Sequence, residues 1–246
     1  MSELRLLTYN VRSLREDREA VAAVVRACRP DVVTIQEAPR TLRWRSKRAA
    51  LARMSGLVVA TADRPGGLMV MTSLAVSVRS TSFALLPKTP DLHQRAVCIA
   101  DVSLRGVDWR IVSTHLSLDA DERRRHLPSL WSAIDPAGPA ASGVNSALLV
   151  VGADVNEDPG GPVWASLTER LQDAFADNSG RVDREGLTFS TRNRRRRIDG
   201  IFVDRRVEVV ECRVVTDVPD AATVRAASDH YPLLAVLRSA GGRRPL

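Results

Sequence analysis

The stretch Leu148 to Asp158, LLVVGADVNED, limits more than any other what this chain can become. Four apolar residues run into Gly152, and Asp154 and Asn156 follow two positions apart. A run that short and that apolar reads as a buried strand. In extended backbone, residues i and i+2 share a side, so a carboxylate and a carboxamide would leave the strand end together, as a phosphate-handling site requires. The same letters also describe a strand that merely stops, because Gly, Asp and Asn all favour turns. The ends of the other strands decide between the two readings.

Those ends carry polar residues repeatedly. Leu4 to Tyr9 reads as a first strand delivering Asn10. Asp31 to Glu37, DVVTIQE, reads as a second, with Glu37 either at the mouth of a site or simply the first loop residue. Trp109 to His115 brings His115 to another apolar strand end, where a lone histidine is either a structural hydrogen-bonding residue or a ligand. A strand over Ile198 to Val203 has Asp199 near its start, directly after the cationic block RNRRRR of Arg192 to Arg197. Asp229 and His230 precede the last strand, Leu233 to Leu237. Further strands are expected over Leu57 to Thr61, Gly67 to Thr72, Leu74 to Arg79, Thr81 to Leu86, Arg95 to Leu104 and Val207 to Val215. Turns at Pro65-Gly66-Gly67 and Arg105-Gly106-Val107-Asp108 make this middle section mainly antiparallel.

Helical spacing is confined to four segments. Ala20, Val21, Val24, Val25 and Cys28 predict a helix from about Asp17, stopped by Pro30. Leu42 to Met54 predicts a basic surface helix with a solvated face. Asp119 to Ile134 predicts a helix capped by Asp119 and kinked or divided at Pro128, and Pro162 to Leu171 one that opens on proline. Pro136 to Ser142, Asp177 to Gly186 and the segment up to Ser228 read as loops. With no internal repeat and no linker in view, residues 1–238 read as one domain and 239–246 as a flexible tail.

Composition removes several function classes. Hydrophobic residues make up 44% and charged residues 26%, the balance of an ordinary globular chain. The formal charge of +7 is almost wholly arginine, Lys47 and Lys88 being the only lysines. That favours polyanionic partners, although a GC-rich genome produces the same bias. Cys28, Cys98 and Cys212 show no CxxC or Cys/His spacing and read as buried, reduced thiols. The first residues lack a signal peptide's pattern, and no apolar run approaches the roughly 20 residues of a membrane span, so a cytoplasmic protein is expected. His93, His115, His126 and His230 form no HExxH zinc motif, and there is neither a Gly-rich nucleotide loop nor a GxSxG elbow. The reading left is metal-assisted hydrolysis. A hard cation such as Mg²⁺ needs one or two carboxylates plus substrate phosphate, and Glu37 with Asp229 or Asn10 would suffice.

Taken in order, LTYNVR with Asn10, QE with Glu37, GLMVMTS, STHL with His115, GADVNEDP, RIDGIFV and SDHYPLLAVL resemble the endonuclease/exonuclease/phosphatase superfamily over residues 4–238. The resemblance implies a DNase I-like α/β fold: a four-layer αββα sandwich, two mixed β-sheets packed face to face with helices outside. It also implies dependence on Mg²⁺ or Mn²⁺, with Glu37 as principal metal ligand, Asn10 organising metal and phosphate, and Asp229 contributing. Asp154 is implied as general base or orienter of the attacking water, Asn156 as positioner of the phosphate or of that water, and His230, oriented by Asp199, as a phosphate contact. His115 in STHL resembles the DNase I-like and sphingomyelinase-like branch, whereas the Asn-x-Tyr-x-Pro segment of abasic-site nucleases is not found. Arg95 in HQRAV matches an arginine of that branch and reads as a phosphate contact or as a packing residue. Val155 and Gly200 stand where the family often has Phe and Tyr.

The leading expectation is therefore a metal-dependent phosphodiesterase acting on nucleic acid, supported by the arginine block but not by aromatic residues, which are few. A phosphatase or phospholipase C-type hydrolase of a small ester or lipid headgroup is the alternative, and a narrow cup rather than an open basic groove would mark it. A catalytically inactive binding protein ranks third.

Overall fold

The computed structural model describes residues 2–61, 65–135, 146–177 and 185–239. Its first half runs β1 (Glu3–Asn10), α1 (Arg18–Cys28), β2 (Val32–Gln36), α2 (Trp44–Met54), β3 (Val58–Val59) and β4 (Met69–Thr72). Then come β5 (Ser77–Leu85), β6 (Ala96–Leu104), β7 (Val107–His115), α3 (Ala120–Ile134), β8 (Leu148–Asp154), α4 (Pro162–Arg170), β9 (Gln172–Asp173) and β10 (Asp199–Val203). β11 (Val207–Val214), α5 (Ala221–Ala227) and β12 (Leu233–Ser239) complete the described elements.

The strands form two six-stranded sheets, in the orders β11-β12-β1-β2-β4-β3 and β5-β6-β7-β8-β10-β9. Each has one parallel pair at its centre, β1 with β2 and β7 with β8, and antiparallel neighbours on either side. A parallel pair cannot be joined by a tight turn, so α1 and α3 serve as the crossovers. The two sheets thus follow a single pairing plan, a structural repeat that the sequence does not display as similarity.

Packing explains the uninterrupted apolar runs. Val150 and Ile111 face the core shared with the first sheet, while their neighbours Val151 and Val112 pack on the other side with Leu130, Trp131, Val163 and Trp164 of α3 and α4. A strand covered on both faces has no polar face to display, so its sequence does not alternate. Helices α1, α2 and α5 lie together against the first sheet. The architecture is the expected four-layer sandwich.

Local chemistry sets the element ends. Asp17 accepts hydrogen bonds from the amides of Glu19 and Ala20 at the start of α1, and Asp119 accepts one from Glu122 at the start of α3. Arg105 and Gly106, with φ of 49° and 82°, close the two-residue hairpin between β6 and β7, matching the right-handed strand twist.

Several expectations need correction. The two strands foreseen over Leu74 to Leu86 are one, β5, whose exposed course carries no apolar run to mark it. The strand foreseen over Leu57 to Thr61 shrinks to Val58–Val59. Helix α3 continues through Pro128. In α2, Arg48 is buried, donating to the carbonyls of Pro39 and Leu68, so that helix is not basic through solvation alone. Helix α5 replaces part of an expected loop. The loop foreseen over Pro136 to Ser142 lies outside the described residues, as do most of Asp177 to Gly186 and most of the tail.

One contact between the sheets places everything that follows. The Gln36 amide nitrogen donates to Ser113 Oγ at 3.2 Å and to the Gly152 carbonyl at 3.3 Å, and Ser113 Oγ donates to the Ile35 carbonyl at 3.1 Å. A Cβ on Gly152 would lie 2.1 Å from Thr34 Oγ1, so the sheets approach this closely only because residue 152 has no side chain. Gly152 is two residues from Asp154, and the close approach therefore brings the ends of both central strand pairs together.

Candidate active site

Strand alternation puts Val150, Gly152 and Asp154 on the face of β8 turned toward the first sheet. Across that contact, Asn10 at the end of β1 donates its amide nitrogen to Asp154 Oδ2 at 2.8 Å and to Glu37 Oε1 at 3.3 Å. The Asn10 side-chain oxygen accepts from the Arg12 amide at 3.0 Å, so the amide nitrogen is the end that faces the carboxylates. Glu37 follows β2 with φ 52°, a left-handed conformation disfavoured for a residue with a Cβ. The Ser13 amide donates to its carbonyl at 2.7 Å and holds it in that conformation.

The turn after β8 combines both readings of GADVNED. Asn156 has φ 56°, and its amide donates to Asp154 Oδ1 at 3.1 Å, the bond of an Asx turn. Its side chain then swings toward β7, with the amide nitrogen 3.0 Å from His115 Nε2 and 3.0 Å from the Leu116 carbonyl. His115 Nε2 also lies 3.3 Å from Asp154 Oδ2. Burial, reinforced by the charges of Arg95, His230 and Arg40 and opposed by Asp154, pushes the His115 pKa down to about 3. The ring is therefore neutral. As an acceptor its Nε2 takes the Asn156 N–H; as a donor it gives a proton to Asp154; one tautomer satisfies one of the two.

His230 is the opposite case. Its Nδ1 lies 2.9 Å from Asp199 Oδ2, and its Nε2 is 3.9 Å from Asp154 Oδ2. Burial works against a charged ring, but Asp199, with Asp154 and Asp229 behind it, outweighs that and raises the pKa to about 10. One buried imidazole is thus neutral and the other cationic, and both face the same aspartate.

Arg95 is also drawn in. It is 8% exposed, and Asp154 and Glu37 oppose the downward push that burial exerts on its pKa. Its Nε has no hydrogen-bond partner among the described residues. Asp229 is set to one side, half-buried and 3.3 Å from Arg12 Nε, whose guanidinium also pairs with Glu16.

The donor chemistry suits a hard cation. Glu37 and Asp154 converge on a single neutral amide, and two carboxylates so placed favour a divalent cation between oxygen ligands. A second grouping, Asp154, Asp199 and His230, brings ligand atoms within 4.8 Å of one another. There one ring nitrogen, Nδ1, is already committed to Asp199 at 2.9 Å, which suits an acid–base arrangement as well as a cation.

Sequence reasoning missed several neighbours. The Phe189 ring packs 4.9 Å from the His230 ring. On α3, Glu122 accepts from the Thr89 amide at 2.8 Å and His126 Nε2 lies 3.0 Å from the Pro87 carbonyl, pinning the segment that leads to Arg95. Their i, i+4 spacing on the buried face of a predicted helix was the available signal. The RNRRRR block also reads differently in three dimensions. Arg197 is buried against Asp173, Trp164 and Phe175, Arg196 pairs with Asp158 at 2.9 Å, and Arg194 donates to the Leu187 carbonyl beneath the Tyr231 ring. Gly200 has no room for the Tyr common at that position: its Cβ would meet the Phe202 ring at 2.7 Å.

A two-sheet sandwich that gathers carboxylates, amides and a carboxylate-paired imidazole at its strand ends defines a class of phosphoester-handling proteins. The chain belongs to the endonuclease/exonuclease/phosphatase family, whose model matches residues 7–230. Among solved structures it is similar to an endonuclease/exonuclease/phosphatase from Bacteroides vulgatus, at 21% identity and a TM-score of 0.78, covering 97% of this chain and 100% of that one. It is similar also to the mannosyl-6-phosphatase Bt3783 of Bacteroides thetaiotaomicron, at 16% identity and a TM-score of 0.78 over 96% of this chain and 99% of that one. A third is TDP2 of D. rerio complexed with a single-strand DNA product, at 18% identity and a TM-score of 0.72 over 97% and 100%. No curated protein matches in sequence. Among the described residues no helix is long and apolar enough to cross a membrane.

Proposed function

We propose that this protein is a Mg²⁺- or Mn²⁺-dependent phosphoesterase, and more specifically a phosphodiesterase acting on nucleic-acid strands in the cytoplasm through one catalytic domain, residues 1–238. The observation that carries this reading is geometric: Asn10, His115 and His230, the last paired with Asp199, converge on Asp154, and Asn10 also reaches Glu37, so a carboxylate able to take a proton stands beside a carboxylate-paired imidazole. Glu37, organised by Asn10, would hold the cation, which when bound supplies positive charge to the phosphate and its leaving oxygen, and Asp229, expected to contribute, would have to leave its pairing with Arg12 to do so. Asp154 orients the attacking water and takes its proton, and Asn156 positions that water or the phosphate. His230 donates from Nε2 to a non-bridging oxygen, and Asp199 keeps its ring charged and aimed. His115, neutral, stands against both Asn156 and Asp154 and fixes their orientation. Arg95 contacts the phosphate.

Phe189 beside His230 supports a substrate with a base or other ring next to the scissile phosphate. A small phosphate ester is the second reading, and the burial of Arg197 against Asp173 favours it, because that charge is not free to follow a phosphate backbone. An activity panel in Mg²⁺ and Mn²⁺ over plasmid, single-stranded and abasic DNA, RNA, bis-p-nitrophenyl phosphate, inositol phosphates and sphingomyelin distinguishes them, with Glu37→Gln as blank. Hydrolysis that survives EDTA or Asp154→Ala would falsify the mechanism.

A further inference from the structure

Between α1 and α2 lies a cavity of about 130 Å³, outside the cluster of carboxylates and histidines described above. Leu14, Leu51 and Met54 supply its apolar wall, and Arg18 of α1 and Lys47 of α2 also line it. Both cations are exposed, and neither makes a side-chain hydrogen bond or ion pair with a described residue. This contrasts with the RNRRRR block, where Arg197 is buried against Asp173 and the more exposed Arg194 and Arg196 are bonded to the Leu187 carbonyl and Asp158. Two unneutralised cations lining an apolar pocket hold an electrostatic preference with no internal group to satisfy it.

The third wall is the turn after β1. Arg12, Ser13 and Leu14 all have positive φ, of 43°, 57° and 56°, although each carries a Cβ. Such conformations persist only where the surroundings over-determine them. Hydrogen bonds from the Ser13 amide to the Glu37 carbonyl and from the Arg12 amide to the Asn10 side chain supply that constraint. The cavity therefore shares a wall with the carboxylate side of the candidate active site.

We infer that this cavity is a subsite for an organic anion with a compact apolar body about the size of one aromatic ring, its charged head held between Arg18 and Lys47. The volume sets the body: an apolar cavity of about 150 Å³ accommodates benzene. The free cations set the head. Such an anion could come from the non-reacting part of a substrate or from a separate small molecule, and the shared chemistry is what the pocket recognises. The inference concerns binding alone, so it stands or falls apart from the proposed phosphoesterase activity.

Isothermal titration of the full chain with phenylphosphonate tests it, with inorganic phosphate and toluene as single-feature controls. The expected result is saturable binding of phenylphosphonate that Arg18→Glu and Lys47→Glu each weaken at least tenfold. Ala50→Leu, which fills the cavity without changing charge, should abolish it, and His230→Ala should leave it intact. Arg18 and Lys47 are exposed, so unchanged thermal unfolding is expected and serves as the folding control. The inference is overturned by absence of saturable binding, by binding that both charge reversals leave unchanged, by equal affinity for inorganic phosphate, or by loss in His230→Ala alone. Kinetics with bis-p-nitrophenyl phosphate then separate the two sources: competition by phenylphosphonate that Ala50→Leu removes assigns the pocket to the substrate, and non-competitive behaviour assigns it to a separate ligand.

Discussion

His230 Nδ1, just ahead of β12 in the first sheet, lies 2.9 Å from Oδ2 of Asp199, which opens β10 in the second, and both groups are buried. The pairing holds the ring charged, so removing the carboxylate's charge removes both the proton and the orientation. Asp199→Asn is expected to lower kcat/KM by roughly 10²- to 10⁴-fold while the protein stays folded, the usual loss when a positioned acid–base group fails. NMR titration of the His230 ring is the independent check. Its pKa should fall from about 10 toward ordinary values in the variant.

Metal removal should abolish hydrolysis, and Mg²⁺ or Mn²⁺ should restore it. Asn10 touches both Glu37 and Asp154, so Asn10→Ala is expected to raise the metal concentration for half-activity by about 10- to 100-fold. Glu37→Gln should lose most metal binding, read calorimetrically without substrate. Equal metal affinity in wild type and Glu37→Gln would sink this ligand assignment.

Gly152→Ala tests the close approach of the sheets. Its new methyl would sit 2.1 Å from Thr34 Oγ1, and overpacking of this kind costs about 1–3 kcal/mol. Thr34→Ala in the same chain should restore part of the loss. Denaturant midpoints of the two single variants and the double variant measure the coupling; simple additivity would show that the sheets adjust elsewhere.

The two histidines predict opposite pH limits to stability. His115 has a folded pKa pushed down to about 3, so the unfolded chain binds its proton first, and stability falls as pH drops from about 6.5 toward 3. His230 has a folded pKa raised to about 10, so its contribution is complete below about 6.5 and is lost as pH rises toward 10. His115→Gln should flatten the acid limb and Asp199→Asn the alkaline limb of the stability profile, both followed by chemical denaturation.

The arginine block divides by burial. Arg197→Ala leaves Asp173 buried without its partner and should cost about 3–5 kcal/mol. Arg196→Ala breaks a largely exposed pair and should cost no more than about 1 kcal/mol. If nucleic acid is the substrate, Arg192→Ala with Arg195→Ala should reduce both its affinity and the salt dependence of binding, measured by fluorescence anisotropy.

The amino-acid sequence by itself determined where the central strands lie and which polar residues stand at their ends. Strands covered on both faces need unbroken apolar runs, so Asn10, Glu37, His115 and Asp154 are legible as the points where those runs stop. Caps such as Asp17 and Asp119 and the turn at Arg105-Gly106 are local chemistry and equally visible. Short or exposed elements were not. Helix α5 spans only seven residues, too few to establish a period, and β5 is exposed along nearly all its length. Only the tertiary structure decided which strand ends meet. Asn10 reaches Asp154 across 144 residues of sequence because Gly152 lets two sheets touch, and nothing local to either segment encodes that contact. The same long-range packing decided which charges are spent, turning Arg197 into a core residue and leaving Arg18 and Lys47 lining a pocket. Charge is written in the sequence, but its availability depends on what the fold places beside it.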